Sequence, residues 1–319
     1  MIDEGCRILA EKGDISAQYH LGISYFNGDG VEKSYEEALR WFTMAAENGH
    51  VDAQFHMGWM HYYGEGAEQS YPETIRWFTM AGENGHESAQ FYLGQMYEYG
   101  IGTEVSDIDA LEWYTRAAEK GNADAQFHLA WMYRTGRGTE QSPEEAIRWF
   151  VMSAGNGCAD AQSALGVAYF NGDIVPQSYE AAAAWFAKAA EQGNADAQCN
   201  LGLSYYRGCG VEQSFEKAAE FYTRSAEQDN AYAQYSLGVM YQYGEGVEQS
   251  VEKAADWYRR SADQGNPAAQ YNLSLMYRDG IGMAKSESRA DELLRASAEQ
   301  GYPDAVSDIE RKNGGGTVH

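Results

Sequence analysis

Residues 17–52 read AQYHLGISYFNGDGVEKSYEEALRWFTMAAENGHVD, and close variants of this stretch fill most of the 319-residue chain. The dipeptide Ala-Gln starts every 36 residues, at 17, 53, 89, 125, 161, 197, 233 and 269. A ninth start falls at Ala305, where Val306 replaces the glutamine. A fixed period of this length is typical of helical solenoids, in which each unit packs on its neighbours. Positions in each repeat are numbered here from that Ala as position one.

The first half of the repeat predicts a helix followed by a tight turn. In the first copy Leu21, Gly22 and Tyr25 share one helical face, and similar residues return at these positions. Because Gly inside a helix costs about 1 kcal/mol relative to Ala, its return at position six predicts the close approach of another helix. Glycines at positions twelve and fourteen predict the helix end, with Ile174 as the exception at position fourteen.

The second half of the repeat predicts a second, amphipathic helix. Position eighteen is Ser in every copy, Ser34 in the first, and a Ser oxygen can accept an unpaired N–H of a first helical turn. Trp41 and Phe42 belong to an apolar stripe with helical spacing. The helix is expected to end at Gly49, whose counterpart in the sixth copy is Asp229. The predicted fold is therefore all-α, an α/α solenoid of 36-residue helix–turn–helix repeats.

The repeated pattern also resembles a known family. Ala-Gln-x-x-Leu-Gly-x-x-Tyr, then Gly-x-Gly-Val, then Ala-x-x-Trp-Phe-x-x-Ala-Ala-Glu-x-Gly is similar to the Sel-one-like repeat, a relative of the tetratricopeptide repeat. The resemblance implies a right-handed superhelix and covers eight repeats, at 17–52, 53–88, 89–124, 125–160, 161–196, 197–232, 233–268 and 269–304. Residues 1–16 are expected to form a partial, capping N-terminal repeat. Residues 305–319 are expected to form a partial C-terminal repeat and a disordered tail.

The composition limits the class of partner. With 48 Asp and Glu against 23 Lys and Arg, the formal charge is −25. Nucleic acid and anionic membranes are disfavoured because like charges repel. Either a basic protein partner matches this charge, or the acid only solvates the surface and keeps the chain monomeric. The chain begins without a signal-peptide pattern and has four cysteines at unrelated repeat positions, which favours a reducing, cytoplasmic setting.

The sequence offers no catalytic or metal-binding motif. It lacks a Walker loop, a nucleophile elbow and a zinc-binding His-Glu-x-x-His helix. The Gly-rich segment at Asn27 recurs in altered form in other copies, which identifies it as the repeat's turn. His20 and His56 share position four, but no third ligand accompanies them. We therefore expect no enzyme activity, no cofactor and no metal.

Candidate binding residues are those that vary on the first helix. By analogy with tetratricopeptide proteins, positions three, seven, ten and eleven line a groove. The aromatic-rich set over the first four repeats comprises Tyr19, Phe55, Trp59, Tyr62, Tyr63, Phe91, Tyr99, Phe127, Trp131 and Arg134. At positions seven, ten and eleven other copies carry Gln, Glu, Arg or Asn, so large aromatics there are expected to be exposed anchors. At position three, packing between adjacent helices is an equal alternative.

These features predict a non-catalytic scaffold that binds a protein or peptide. An extended or helical segment would lie across repeats two to four, held by Trp59, Tyr63, Tyr99 and Trp131, with Lys or Arg side chains adding cation–π contacts of about 0.5–2 kcal/mol. The alternative is an acidic inhibitor or immunity-type protein that neutralises a basic toxin or enzyme. The resemblance itself permits bacterial signalling, host-interaction and quality-control adaptors alike.

Overall fold

The computed structural model of the chain describes residues 4–314, with side chains described for residues 4–312. Within these residues the chain forms eighteen helices joined by short turns. In chain order they are α1 (Glu4–Glu11), α2 (Ile15–Asn27), α3 (Tyr35–Glu47), α4 (Val51–Tyr63), α5 (Tyr71–Glu83), α6 (Glu87–Tyr99), α7 (Asp107–Glu119), α8 (Ala123–Thr135), α9 (Pro143–Gly155), α10 (Ala159–Asn171), α11 (Tyr179–Glu191), α12 (Ala195–Arg207), α13 (Phe215–Ala226), α14 (Ala231–Tyr243), α15 (Val251–Asp263), α16 (Pro267–Asp279), α17 (Glu287–Glu299) and α18 (Pro303–Gly314). The predicted all-α fold of paired helices is confirmed. The predicted disordered tail at residues 315–319 lies outside the described residues.

The helices fall into two compact units, Met1–Cys158 and Ala159–His319. The even-numbered helices α2 to α16 are the first helices of the eight repeats, and the odd-numbered helices α3 to α17 are the second helices. Within each unit a first helix packs on the second helix of its own repeat and on the second helix that precedes it. No helix in the described part of the chain is long and apolar enough to cross a bilayer.

The predicted helix ends are present. The hydroxyl oxygen of Ser34 accepts the backbone N–H of Glu37 at 3.2 Å, and the equivalent Ser caps each later second helix. Gly28 ends α2 in the left-handed conformation, at φ 82°. In the described residues Asp229 and Ile174 are the non-glycine residues with positive φ, at 62° and 46°. Asp tolerates this region through its short polar side chain, whereas Ile is β-branched and strained there.

The predicted close approach at position six is also confirmed. A Cβ added to Gly58 would lie 2.3 Å from the ring of Phe78, far inside van der Waals contact. The same relation joins Gly166 to Phe186 at 2.4 Å. In these repeats the first helix lies directly on the aromatic ring of its own second helix because it lacks a side chain at that point.

The glutamine at position two links neighbouring repeats inside each unit. Gln234 donates through Nε2 to the carbonyl of Ala226 at 3.1 Å, and its Oε1 accepts from Nε2 of Gln264 at 2.8 Å. Equivalent pairs recur along the chain, and we call this series the glutamine ladder. Each rung satisfies a buried amide and an otherwise unpaired carbonyl at a helix end.

Two ladder glutamines of the described residues, Gln18 in repeat one and Gln90 in repeat three, have a buried Oε1 without a hydrogen-bond partner. Gln90 donates to the carbonyl of Gly82 at 2.8 Å, but its buried Oε1 has no hydrogen-bond partner. Lys120 stands where other copies place Asn or Gln, and its ammonium group donates instead to the carbonyl of Gly85. A buried acceptor is therefore left unpaired.

Candidate protein-binding surface

The ten candidate residues all lie on first helices of the first unit. Three of them are exposed: Tyr63 at 63%, Tyr99 at 59% and Trp131 at 40% of their full surface. The others are half-buried, namely Tyr19, Phe55, Trp59, Tyr62, Phe91, Phe127 and Arg134. The exposed members sit on α4, α6 and α8, at positions eleven, eleven and seven.

The structure brings four of the candidates together around one indole. The Trp59 ring stacks on Tyr63 at 5.4 Å between centroids, and it meets Tyr62 at 5.2 Å and Phe55 at 6.0 Å edge-on. Tyr92 from the next repeat closes the group at 4.7 Å from Trp59. We call Phe55, Trp59, Tyr62, Tyr63 and Tyr92 the Trp59 cluster. Its outermost ring, Tyr63, is presented to solvent on a rigid aromatic base.

A second group forms on α8. Phe127 and Trp131 both lie edge-on to the buried Phe150, at 6.0 and 5.6 Å. The guanidinium of Arg134 lies 5.2 Å from the Trp131 ring centroid. Trp131 is thus anchored below by Phe150 and flanked by a cation, while two fifths of its surface stays open.

The position-three candidates pack mainly between helices. Phe55 stacks on the imidazole of His86 at 4.2 Å, and Tyr19 stacks on that of His50 at 4.3 Å. Phe91 contacts Tyr114 at 6.0 Å. This arrangement fits the alternative of inter-helix packing better than that of a ligand contact.

The prediction that a charged residue at position ten marks a solvent-exposed position is wrong for Glu98. Its side chain is only 8% exposed, and its carboxylate accepts hydrogen bonds from Tyr114 at 2.7 Å and Arg137 at 2.8 Å. The imidazole Nδ1 of His128 lies 3.0 Å away. Burial alone would raise the pKa of Glu98, but the bonds from His128, Tyr114 and Arg137 outweigh it and lower the pKa to about 2.

The sequence carries a signal for this buried pair that position-by-position reading misses. Where position ten is Glu98 or Gln242, the second helix carries Tyr114 or Tyr258 sixteen residues later. Both tyrosine hydroxyls donate to that polar side chain, at 2.7 Å in each repeat. The charge of Glu98 is therefore matched within its own repeat and does not report exposure.

Acidic side chains border the aromatic groups at one edge. Position sixteen, in the turn after each first helix, is an exposed Glu in the first four repeats: Glu32, Glu68, Glu104 and Glu140. We call these residues the acidic row. Helices α4 and α8 each carry one carboxylate, Asp52 and Asp124 respectively. Both lie in the first turn of their helix. Exposed carboxylates therefore lie in the turns after the first helices that carry the rings.

Repeat three adds exposed aliphatic residues to this border. Val105 and Ile108 are exposed, and they replace Lys or Gln at position seventeen and, in most copies, Glu at position twenty. A Cβ on Gly100, next to Tyr99, would meet a Val105 methyl at 3.0 Å, so this edge adjoins Tyr99. Val105 lies in the turn and Ile108 on the second helix, so the variable positions of the first helices give no signal for either residue.

Within the described residues no group of three or more His, Cys, Asp or Glu side chains is placed to hold a metal ion. The imidazoles of His20 and His56 both lie against the Tyr19 ring, at 5.7 and 5.6 Å. The four cysteines are free thiols, and burial raises the pKa of Cys199 to about 12.

Comparison with known proteins gives a consistent match along the chain. The family model for the Sel1 repeat matches residues 15–50, 51–86, 87–122, 123–158, 159–194, 195–230, 231–266 and 267–302. No curated protein sequence matches the chain.

Solved structures with the same repeats are also similar. A protective antigen present in uropathogenic Escherichia coli strains, with an SLR fold, is 34% identical over 96% of this chain at a TM-score of 0.89. The chain spans 66% of that antigen's length. A Sel1 repeat protein from Oxalobacter formigenes is 30% identical, with 97% of this chain and 90% of that one covered, at a TM-score of 0.72. An immunity protein from Pseudomonas aeruginosa is 21% identical over 70% of this chain and 82% of its own, and its TM-score of 0.43 supports no functional argument.

Proposed function

The chain belongs to the Sel1 repeat family, and from this premise we propose that it is a non-catalytic scaffold that binds a segment of another protein across repeats two to four. The observation that carries the proposal is the set of three exposed rings, Tyr63, Tyr99 and Trp131, on neighbouring first helices. Large aromatics on a firm base are the usual anchors of protein interfaces, because they bury much area at little cost in side-chain entropy.

The acidic row supports a particular kind of partner. Glu68, Glu104 and Glu140 are exposed along the edge next to the rings. A segment with apolar or aromatic side chains for the rings, and Lys or Arg side chains toward this edge, matches both features. The exposed Val105 and Ile108 extend the apolar contact at repeat three. The proposed partner segment is therefore amphipathic and basic.

The test uses a triple variant, Tyr63→Ala, Tyr99→Ala and Trp131→Ala, with Tyr243→Ala as the matched control. Tyr243 occupies position eleven in repeat seven and is 65% exposed, but it lies in the second unit. A partner captured from the source cell by the unaltered chain is identified by mass spectrometry, and its affinity is measured by calorimetry. The triple variant should bind at least about 100-fold more weakly, since each anchor is worth about 1 kcal/mol or more and about 1.4 kcal/mol is tenfold.

Equal affinity of the triple variant and the unaltered chain, with helicity preserved, would remove this site. The Tyr243 variant should bind as the unaltered chain does. If the two variants lose affinity equally, the partner is not held at repeats two to four.

A second candidate function is that of an acidic inhibitor covering a basic protein surface. The acidic row and the net charge of −25 favour it. In that case attraction between exposed charges would dominate, and affinity would fall steeply with salt because such charges are screened over about 8 Å at physiological ionic strength. Anchoring by the rings predicts a shallow salt dependence, so titrations at low and high salt separate the two functions.

A further inference from the structure

The second unit contains a small pocket that the first unit fills with its own side chains. The pocket lies between α12 and α14, the first helices of repeats six and seven, and has a volume of about 150 Å³. Tyr206, Arg207, Tyr222, Tyr232, Tyr235 and Ser236 line it. Tyr222 belongs to the second helix of repeat six and is buried.

In the first unit an aromatic or imidazole ring lies in the equivalent place. Position four of each later repeat there puts a ring against the aromatic residue of the preceding second helix. His56 lies 5.0 Å from Phe42, and His128 stacks on Tyr114 at 4.8 Å and 15°. The fold thus builds a slot that accepts a planar ring.

In repeat seven the corresponding residue is small. Ser236 stands at position four, opposite Tyr222, where the first unit has His or Tyr. At position seven Leu203 replaces the larger indole of Trp59, which fills space beside Tyr92 in the first unit. The space beside these smaller residues is lined by Tyr206, Tyr232 and Tyr235, whereas Tyr222 itself is only 2% exposed. The volume of the pocket is close to that of apolar cavities known to accept benzene.

The mouth of the pocket favours negative charge. Arg207 lines it, and within the described residues its guanidinium makes no ion pair with a carboxylate, although Arg137 and Arg278 each do. Tyr232, at the start of α14, occupies the repeat position that Asp196 occupies at the start of α12. The rim therefore has a tyrosine where the preceding repeat has a carboxylate. The carboxylate of Glu245 accepts from the Tyr206 hydroxyl at 2.8 Å on one side of the pocket, and Arg207 is the cation among the lining residues.

We propose that this pocket binds an aromatic ring that carries a carboxylate, with the ring between Tyr206 and Tyr235 and the carboxylate on Arg207. The ring takes the place that position four occupies in the first unit. The carboxylate provides the partner that Arg207 lacks. Such a group can be a free aryl acid or the last residue of a peptide that ends in Phe or Tyr.

The binding test uses 4-hydroxyphenylacetate as the probe, followed by ligand-observed NMR and calorimetry. A millimolar dissociation constant is expected for a ligand of this size in a half-open pocket. p-Cresol, which lacks the carboxylate, and tyramine, which carries the opposite charge, should each bind at least about tenfold more weakly because the contact to Arg207 is lost or reversed. Tyramine binding as tightly as the acid would overturn the proposal.

Substitutions separate pocket binding from general adsorption. Ser236→Tyr copies the ring that Tyr92 provides in the first unit, so it should fold, fill the slot and weaken probe binding more than tenfold. Arg207→Gln should remove the preference for the acid over p-cresol. The matched control Asn200→Tyr makes the same kind of change at position four one repeat earlier and should leave binding unchanged. A folded Ser236→Tyr variant that binds like the unaltered chain would overturn the site.

A short peptide ending in Tyr, with a free or an amidated carboxy-terminus, identifies the source of the ligand. If the free-acid peptide binds at least tenfold more tightly than the probe and the amidated form does not, the ligand is a peptide end. If the two peptides bind no better than the probe, the ligand is a free aryl acid.

Discussion

Completing the rung of the glutamine ladder at Gln90 should stabilise the first unit. In the variant Lys120→Gln the new amide can reach Oε1 of Gln90, as the equivalent amides do in repeats four to eight. An unpaired buried acceptor costs about 1–3 kcal/mol. The variant also loses the exposed contact from Lys120 to Gly85, worth about 0.5–1 kcal/mol. The net expectation is a stabilisation of about 1 kcal/mol.

The matched control is Lys12→Gln. Lys12 occupies the same repeat position in the N-terminal partial repeat, where no ladder glutamine of the described residues faces it. It therefore reproduces the change of side chain and charge without the new hydrogen bond. The free energy of unfolding of both variants is obtained from urea titrations followed by circular dichroism. If the two variants differ by less than about 0.3 kcal/mol, the unpaired acceptor does not carry the assigned cost.

Two further outcomes follow from the backbone and from the buried carboxylate. Ile174→Gly relieves a β-branched residue at φ 46° and should stabilise the second unit by about 1 kcal/mol in urea titrations, whereas a loss of stability would contradict the assigned strain. The pKa of Glu98 is lowered from 4.5 to about 2, so its contribution to stability is complete above pH 4.5 and is lost as the pH falls toward 2. Between pH 4.5 and 2 the free energy of unfolding of Glu98→Gln should therefore fall less than that of the unaltered chain. Parallel curves of unfolding free energy against pH would refute the lowered pKa of Glu98.

The repeated positions could be predicted because each is governed by local geometry. Gly58 must lack a side chain because Phe78 lies against it, and Ser34 must offer an oxygen to the first turn of α3. The capping Ser recurs in every copy and the Gly in six of eight, with Ala130 and Ser274 as the exceptions, so one sequence displays these demands many times. Helix pairing and the type of each turn follow from them directly.

The surroundings of the variable side chains could not be predicted in the same way. Phe55 meets His86, and Glu98 meets His128 and Arg137, across 30 to 39 residues of chain. Each environment is set jointly by two repeats. Periodicity fixes the helix face on which a residue lies, but not which ring or charge its neighbour supplies.

This also explains which candidate residues became accessible. Tyr63 and Tyr99 stand at position eleven, at the end of a first helix, where the next element is a turn with small residues. Phe91, one helical turn from the helix start, contacts the ring of Tyr114 in its own repeat and that of His128 in the next. Exposure depends on the distance from the adjoining second helix, which the sequence pattern does not encode.

The glutamine ladder bears on how genes for such chains can grow and shrink. Gln198, for example, joins Ala190 behind it to Gln228 ahead of it, and the same three repeat positions serve the next rung. Unequal recombination that removes or duplicates one 36-residue block therefore rejoins equivalent atoms and orphans no buried amide. An insertion of a few residues inside a block has no such compensation. The chain can therefore gain or lose whole repeats without losing these hydrogen bonds. Selection can then act on the few side chains that differ from one repeat to the next.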